Sequence, residues 1–215
     1  MNEVIVFLAD GFEEIEGLTV VDVLRRAGIA LDTVSIMDKK WVSGAHKINV
    51  EADYMFADAD LTETKMLVLP GGLLGMQNLE AHEGVRNLIT KFNEEGKEIA
   101  AICASPTIFG RMGLLEGKCA TAYPSMEDGL LGAKVSYDGV VTDGNITTGR
   151  GMGVSIDFAL RLIEILRDKA VADQIAEQIE EEEDTVQGIC RVIKECGSGS
   201  TSEMIYAKLN LSGIE

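Results

Sequence analysis

The 215-residue sequence has only three prolines, four cysteines and two histidines, and its 19 basic side chains face 36 acidic ones. Four cysteines in a chain of this size do not make a disulfide framework, and no apolar run approaches the roughly 20 residues needed to span a bilayer. The shortage of bases leaves a net charge of −17, a surface that repels phosphate backbones and anionic lipid heads. Nucleic acid and membrane are therefore not expected as partners. Asn2 and Glu3 lead straight into a strand-like run with no leader pattern, and with the free cysteines this gives a cytoplasmic expectation. Collagen-like and disordered compositions are excluded too, because 46% of the residues are hydrophobic.

What is present is an alternation of strands and helices. Val4 to Ala9 is a continuous apolar run, the pattern of a strand buried on both faces of a parallel sheet. Phe12 to Arg26 follows as an amphipathic helix closed by Gly28, and Ile29 to Ile36 reads as the second strand. Trp41 to Val50 alternates as a short hairpin. Further strands are expected at Lys65–Leu69, Glu98–Cys103 and around the Asp143-Gly144 turn, with helices over Val85–Phe92 and Gly153–Arg167. This order predicts a doubly wound, mostly parallel α/β sheet flanked by helices. Residues 1–170 account for it. Residues 171–215 form an acidic extension, with the run Glu180-Glu181-Glu182-Glu183-Asp184 and a linker-like Gly/Ser stretch at 197–202.

Three segments converge on the carboxyl ends of the expected strands, where ligands bind in this architecture. The first is Ile102-Cys103-Ala104-Ser105-Pro106, a strand running into a cysteine where a helix must begin. Such a turn exposes one side chain beside free N–H groups and favours a thiolate; the alternative is a small buried residue at a strand end. The second is Leu69-Pro70-Gly71-Gly72, whose glycine N–H groups can join that of Ala104 as an oxyanion hole, or simply make a tight turn. The third is Asp10-Gly11-Phe12-Glu13-Glu14-Ile15-Glu16. Glu13 and Glu14 read as surface carboxylates answering the helix dipole, whereas Glu16, one turn in, can face the rim.

In one order, Gly11-Phe12-Glu13-Glu14-Ile15-Glu16, Val20 to Gly28, Leu69-Pro70-Gly71-Gly72, Gln77-Asn78-Leu79, Ala100 to Thr107 and Thr148-Gly149-Arg150-Gly151 resemble the ThiJ/PfpI superfamily, in its Parkinsonism-associated protein deglycase branch. The resemblance implies a flavodoxin-like, class I glutamine amidotransferase-like fold, a homodimer, no cofactor and no metal. It also implies that Cys103 is the nucleophile and redox-sensitive group, that Glu16 shares a hydrogen bond with it, and that Gly72 and Ala104 supply oxyanion donors beside Gly71. Two departures matter. Ala104 stands where the protease-like branch has histidine, which disfavours peptidase activity. Tyr123 stands where the deglycase branch has histidine, leaving a phenol with an ordinary pKa near 10 at the catalytic slot.

Two functions follow as expectations. One is glyoxalase or deglycase-like chemistry on small 2-oxoaldehydes or their adducts, carried by Cys103, Glu16 and Tyr123, with a small carbonyl compound as substrate. The other is a redox-sensing, oxidative-stress protein whose Cys103 is oxidised to a sulfinate with little turnover. Arg150, between two glycines, reads as a rim anchor rather than a carboxylate binder. His46 and His82 read as surface residues, Cys119 as packing, and Cys190 and Cys196 lack a neighbouring histidine that would suggest zinc.

Overall fold

The computed structural model describes residues 2–179. The apolar runs become strands because a parallel sheet buried on both faces needs no polar alternation. Strand β1 (Val4–Leu8) is entirely buried and pairs in parallel with β2 (Leu31–Ser35) on one side and β6 (Met66–Leu69) on the other. Beyond β6 come β7 (Glu98–Ile102) and β11 (Ile146–Gly149), both parallel, and then β10 (Val140–Asp143), the one antiparallel neighbour in this sheet. With β5 (Tyr54–Met55) at the far edge, the order is β10-β11-β7-β6-β1-β2-β5. The expected mostly parallel α/β sheet is present. The Asp143-Gly144 turn closes the β10–β11 hairpin, with Gly144 at φ 64°.

Helices cover both faces. On one, α1 (Glu14–Arg26) packs against α5 (Ser155–Leu166). On the other, α3 (Glu83–Glu94) and α4 (Pro106–Arg111) bury Val85, Ile89, Phe92, Ile108 and Phe109 against Ile5, Phe7, Leu67, Leu69, Ile99 and Ala101. Helix α1 ends as its sequence dictates, with basic Arg25 and Arg26 in the last turn and Gly28 at φ 68°. Between β6 and α3 lies α2 (Leu73–Ala81), which the sequence did not announce: it starts on the heels of two glycines and buries only Gly75, Met76 and Leu79. His82 links α2 to α3. It is half-buried, its Nδ1 accepts from the Val85 N–H (3.2 Å), and its ring lies 4.5 Å from that of Phe56, so it is a helix cap rather than a free surface residue.

The remaining elements decorate this frame. Strands β3 (Trp41–Ser43) and β4 (Asn49–Glu51) form the expected hairpin, and β8 (Cys119–Ala120) pairs with β9 (Lys134–Val135). Helix α6 (Lys169–Ile179) follows α5. Backbone contacts group Met1–Ile175 as one compact unit. The acidic run at 180–184, the Gly/Ser stretch at 197–202, Cys190 and Cys196 lie outside the described residues. Among the described residues no helix is long and apolar enough to cross a membrane.

Candidate active site

Because β7, β6 and β1 are parallel neighbours, their carboxyl ends open on one rim. Onto it run Cys103 from β7, Pro70-Gly71-Gly72 from β6, and the loop from Asp10 to α1 from β1. Cys103 has φ 66°, a left-handed conformation that costs a non-glycine residue on the order of 1–2 kcal/mol. The surrounding bonds hold it there. Its N–H donates to the Gly149 carbonyl (2.9 Å), and its own carbonyl accepts from the Tyr123 N–H (2.8 Å). Ser105 donates through Oγ to the Pro70 carbonyl (2.5 Å), tying the cysteine turn to the glycine turn. Pro106, at the start of α4, needs no N–H partner in the first turn.

Glu16 is fully buried in the first turn of α1. Its Oε2 accepts from the Gly71 N–H (2.9 Å), its Oε1 has no hydrogen-bond partner among the described residues, and the carboxyl lies against the Cys103 thiol. Gly71 separates the two: a Cβ there would fall 2.4 Å from Glu16 Oε2 and 2.5 Å from Cys103 Cβ. Gly72, at φ 86°, brings its backbone so close to the neighbouring loop that a Cβ would lie 2.3 Å from the Gly11 carbonyl oxygen. The backbone N–H groups of Gly72 and Ala104 lie close enough to the sulfur to favour its charged form. Five of the six expected site residues, Cys103, Glu16, Gly71, Gly72 and Ala104, thus meet around one sulfur.

The electrostatics correct the expectation of a thiolate made easy by its position. Burial, the neighbouring Glu16 charge and the hydrogen bond with Glu16 push the Cys103 thiol up to about 12, and the two backbone N–H groups only partly offset them. Burial likewise pushes Glu16 up to about 7, against the hydrogen bond from Cys103, with the Glu13 charge adding to the rise. Two negative charges are not tolerated side by side in this enclosure, so around neutral pH the pair carries one negative charge and one proton. The sulfur becomes nucleophilic when that proton sits on the carboxyl.

Tyr123 is positioned differently. Its backbone helps to hold Cys103, but the ring lies beside Gly151, 49% of the residue is exposed, and its hydroxyl bonds to no protein group among the described residues. Arg150 bonds through its guanidinium to the Tyr137 carbonyl (2.9 Å) and stacks on the Tyr137 ring, as a rim anchor does. Sequence reasoning did not single out Met152, which lies near the Glu16 carboxyl just after the glycine-flanked Gly149-Arg150-Gly151 run.

Glu13 and Glu14 are not the free surface carboxylates expected. Glu13 caps α1, its Oε2 accepting from the Glu16 N–H (2.8 Å). Glu14 is only 4% exposed, covered by the β3–β4 hairpin, where Oε1 accepts from the His46 N–H (2.7 Å) and Oε2 pairs with the imidazole Nδ1 (2.9 Å). A hairpin turn 32 residues away has claimed a side chain that local sequence assigns to solvent.

The model of the DJ-1/PfpI family matches residues 2–165. Among curated relatives, the Parkinson disease protein 7 homolog of Danio rerio is 37% identical, over 80% of this chain and 93% of its own length. A deglycase of Pyrococcus abyssi is 29% identical, over 76% of this chain and 99% of its own. The chain spans 37% and 45% of the lengths of the Arabidopsis thaliana DJ-1 homologs B and A. Toxoplasma gondii DJ-1, solved in oxidized form, superposes with a TM-score of 0.80 at 33% identity, over 83% of this chain and 98% of that one. The strand-end cysteine, the glycine turn and the buried glutamate are thus set in a sheet shared with these proteins: the chain belongs to the DJ-1/PfpI family.

Proposed function

We propose that this protein is a cysteine-dependent, cofactor-independent glyoxalase or deglycase-like enzyme acting on small 2-oxoaldehydes or their adducts. The observation that carries this reading is the fully buried Glu16 carboxyl set against Cys103 across Gly71, with the Gly72 and Ala104 N–H groups near the sulfur. The deglycase among the relatives supports it. As the sulfur adds to the aldehyde carbon, a C–S bond forms and the carbonyl electrons move to oxygen, where the two N–H groups stabilise the oxyanion until Glu16 protonates it. The Glu16 carboxylate then removes the hydrogen from that carbon and returns it to the neighbouring former ketone carbon through an enediolate. The resulting thioester is cleaved by water, which releases a 2-hydroxy acid and the thiol. A carboxyl titrating at about 7 suits both directions of proton movement.

Turnover of methylglyoxal by Cys103→Ser tests the reading. Loss of at least a hundredfold in kcat is expected, and unchanged turnover overturns it. In the parent, kcat/KM should rise as pH passes through about 7, when the pair loses its first proton. In this reading the enzyme is cytoplasmic and homodimeric and takes neither nucleic acid nor membrane as partner. The half-exposed Ile15 and Ile156, on the two helices α1 and α5 that pack together, support a second copy docking there.

A specific observation favours the redox reading as well: Tyr123 offers the pair no base. One peroxide would convert the thiolate to sulfenate with loss of water, a second would give the sulfinate, and a protonated Glu16 would hold a sulfinate oxygen. Mass spectrometry after mild peroxide should then find a stable two-oxygen adduct confined to Cys103. Oxidation spread over Cys119, Cys190 and Cys196 would overturn it.

A further inference from the structure

Outside the Cys103 pair, one other set of side chains is arranged for chemistry that the proposed reaction does not use. Glu13, Glu14 and His46 each offer an atom such that all three lie within 4.8 Å of one another. His46 Nδ1 stands 2.9 Å from Glu14 Oε2 and 3.9 Å from Glu13 Oε1. Ligands at the roughly 2.0–2.2 Å typical of zinc are separated by about 3.4 Å in a tetrahedron, so these two distances bracket what such an ion requires. We propose that Glu13, Glu14 and His46 form a binding site for a zinc-like divalent cation that clips the β3–β4 hairpin to the first turn of α1.

The ligand atoms are held from behind. Glu14 is more than nine-tenths buried, and its Oε1 is fixed by the His46 N–H, leaving Oε2 to face the imidazole. Glu13 is fixed by the bond from the Glu16 N–H to its Oε2, which leaves Oε1 toward His46. The Nδ1–Oε2 contact needs a proton between the two atoms, and a metal ion can replace that proton with a shift of a few tenths of an ångström. The charge around the cluster independently favours a cation. Two carboxylates meet here, and among the described residues no lysine or arginine pairs with either. The amino end of α1 supplies the equivalent of only about half a positive charge, and even with a protonated His46 counted beside it the two carboxylates stay in excess. One imidazole and two carboxylates is a donor set suited to zinc and its neighbours among the borderline divalent ions. His46 is 73% exposed in its side chain, which gives the ion a path in and leaves its fourth position to water.

The test is a calorimetric titration of the full chain, stripped with a chelator, with Zn²⁺, in parallel with His46→Gln. Glutamine keeps a neutral hydrogen-bonding group toward Glu14 but is a poor zinc ligand, and an unchanged metal-free Tm will show that the hairpin is intact. Micromolar binding by the parent is expected, about tenfold or more weaker in His46→Gln. A Co²⁺ complex should show weak visible bands and no intense near-ultraviolet thiolate band, which separates this site from the four cysteines. Absence of Zn²⁺ binding to the parent, equal affinity in His46→Gln, or a thiolate band overturns the proposal.

Discussion

Glu14 and Glu16 lie two residues apart in the first turn of one helix, both nearly inaccessible, and their titrations shift in opposite directions. Burial raises each. For Glu14 it is outweighed by the hydrogen bonds from the His46 ring and from the backbone N–H groups of Glu14, His46 and Ile48, and the carboxyl is held below its usual range. For Glu16 burial wins, because it faces the body of the domain and a thiol that will not share a second negative charge. Loss of solvent therefore does not by itself decide the charge of a carboxyl; the donors supplied in place of water do. The thin hairpin supplies enough to keep Glu14 ionised, and the deep rim withholds enough to let Glu16 keep its proton up to about 7.

The largest expected effect follows from that difference. Glu16 is raised from 4.5 to about 7, so its contribution to stability is fully present below pH 4.5 and is lost as pH rises through about 7. Each unit is worth about 1.4 kcal/mol, which makes the loss up to about 3 kcal/mol by pH 9. Glu16→Gln removes it. Denaturation midpoints should show the variant gaining on the parent between pH 5 and 9, with a flat difference sinking the assignment. Gly71→Ala attacks the same pair by geometry. The new Cβ would collide with both Glu16 Oε2 and Cys103 Cβ, and overpacking of this kind costs about 1–3 kcal/mol. Because the collision pushes the acid and the thiol apart, methylglyoxal turnover should fall toward that of Cys103→Ser while the fold survives. A variant with parental turnover would mean that the contact is dispensable.

Much of this comparison was legible in the sequence, and the part that was not has a common cause. The apolar runs of β1, β6 and β7 announce their strands, and the small residues and Pro106 after Cys103 announce the turn that exposes it; both signals are local. Glu16 was recognised one turn into α1, since helix periodicity places it toward the rim. The upward shift of the Cys103 thiol was not legible, because it depends on a carboxylate 87 residues earlier in the chain lying against it. Glu14 was misread for the same reason: its partners sit in a hairpin turn whose docking no local pattern reveals. Helix α2 was missed because it buries too few apolar residues to show a period.

Glu14→Gln probes the other half of the comparison and should have the smaller effect. The amide keeps an oxygen for one backbone donor, but its NH₂ must face either the His46 N–H or the imidazole, so one donor loses its acceptor. A mismatch of this kind costs about 1–2 kcal/mol near neutral pH. The sign of its pH dependence is opposite to that of Glu16. A carboxyl whose titration is lowered on folding contributes stability above its ordinary 4.5 and loses it as pH falls through the folded value, so the gap between parent and variant should close in acid. Urea denaturation with a chelator present, at pH 7 and again below pH 4, measures it. If the gap widens in acid instead, Glu14 is a buried neutral acid like Glu16, and the two carboxylates differ in place but not in kind.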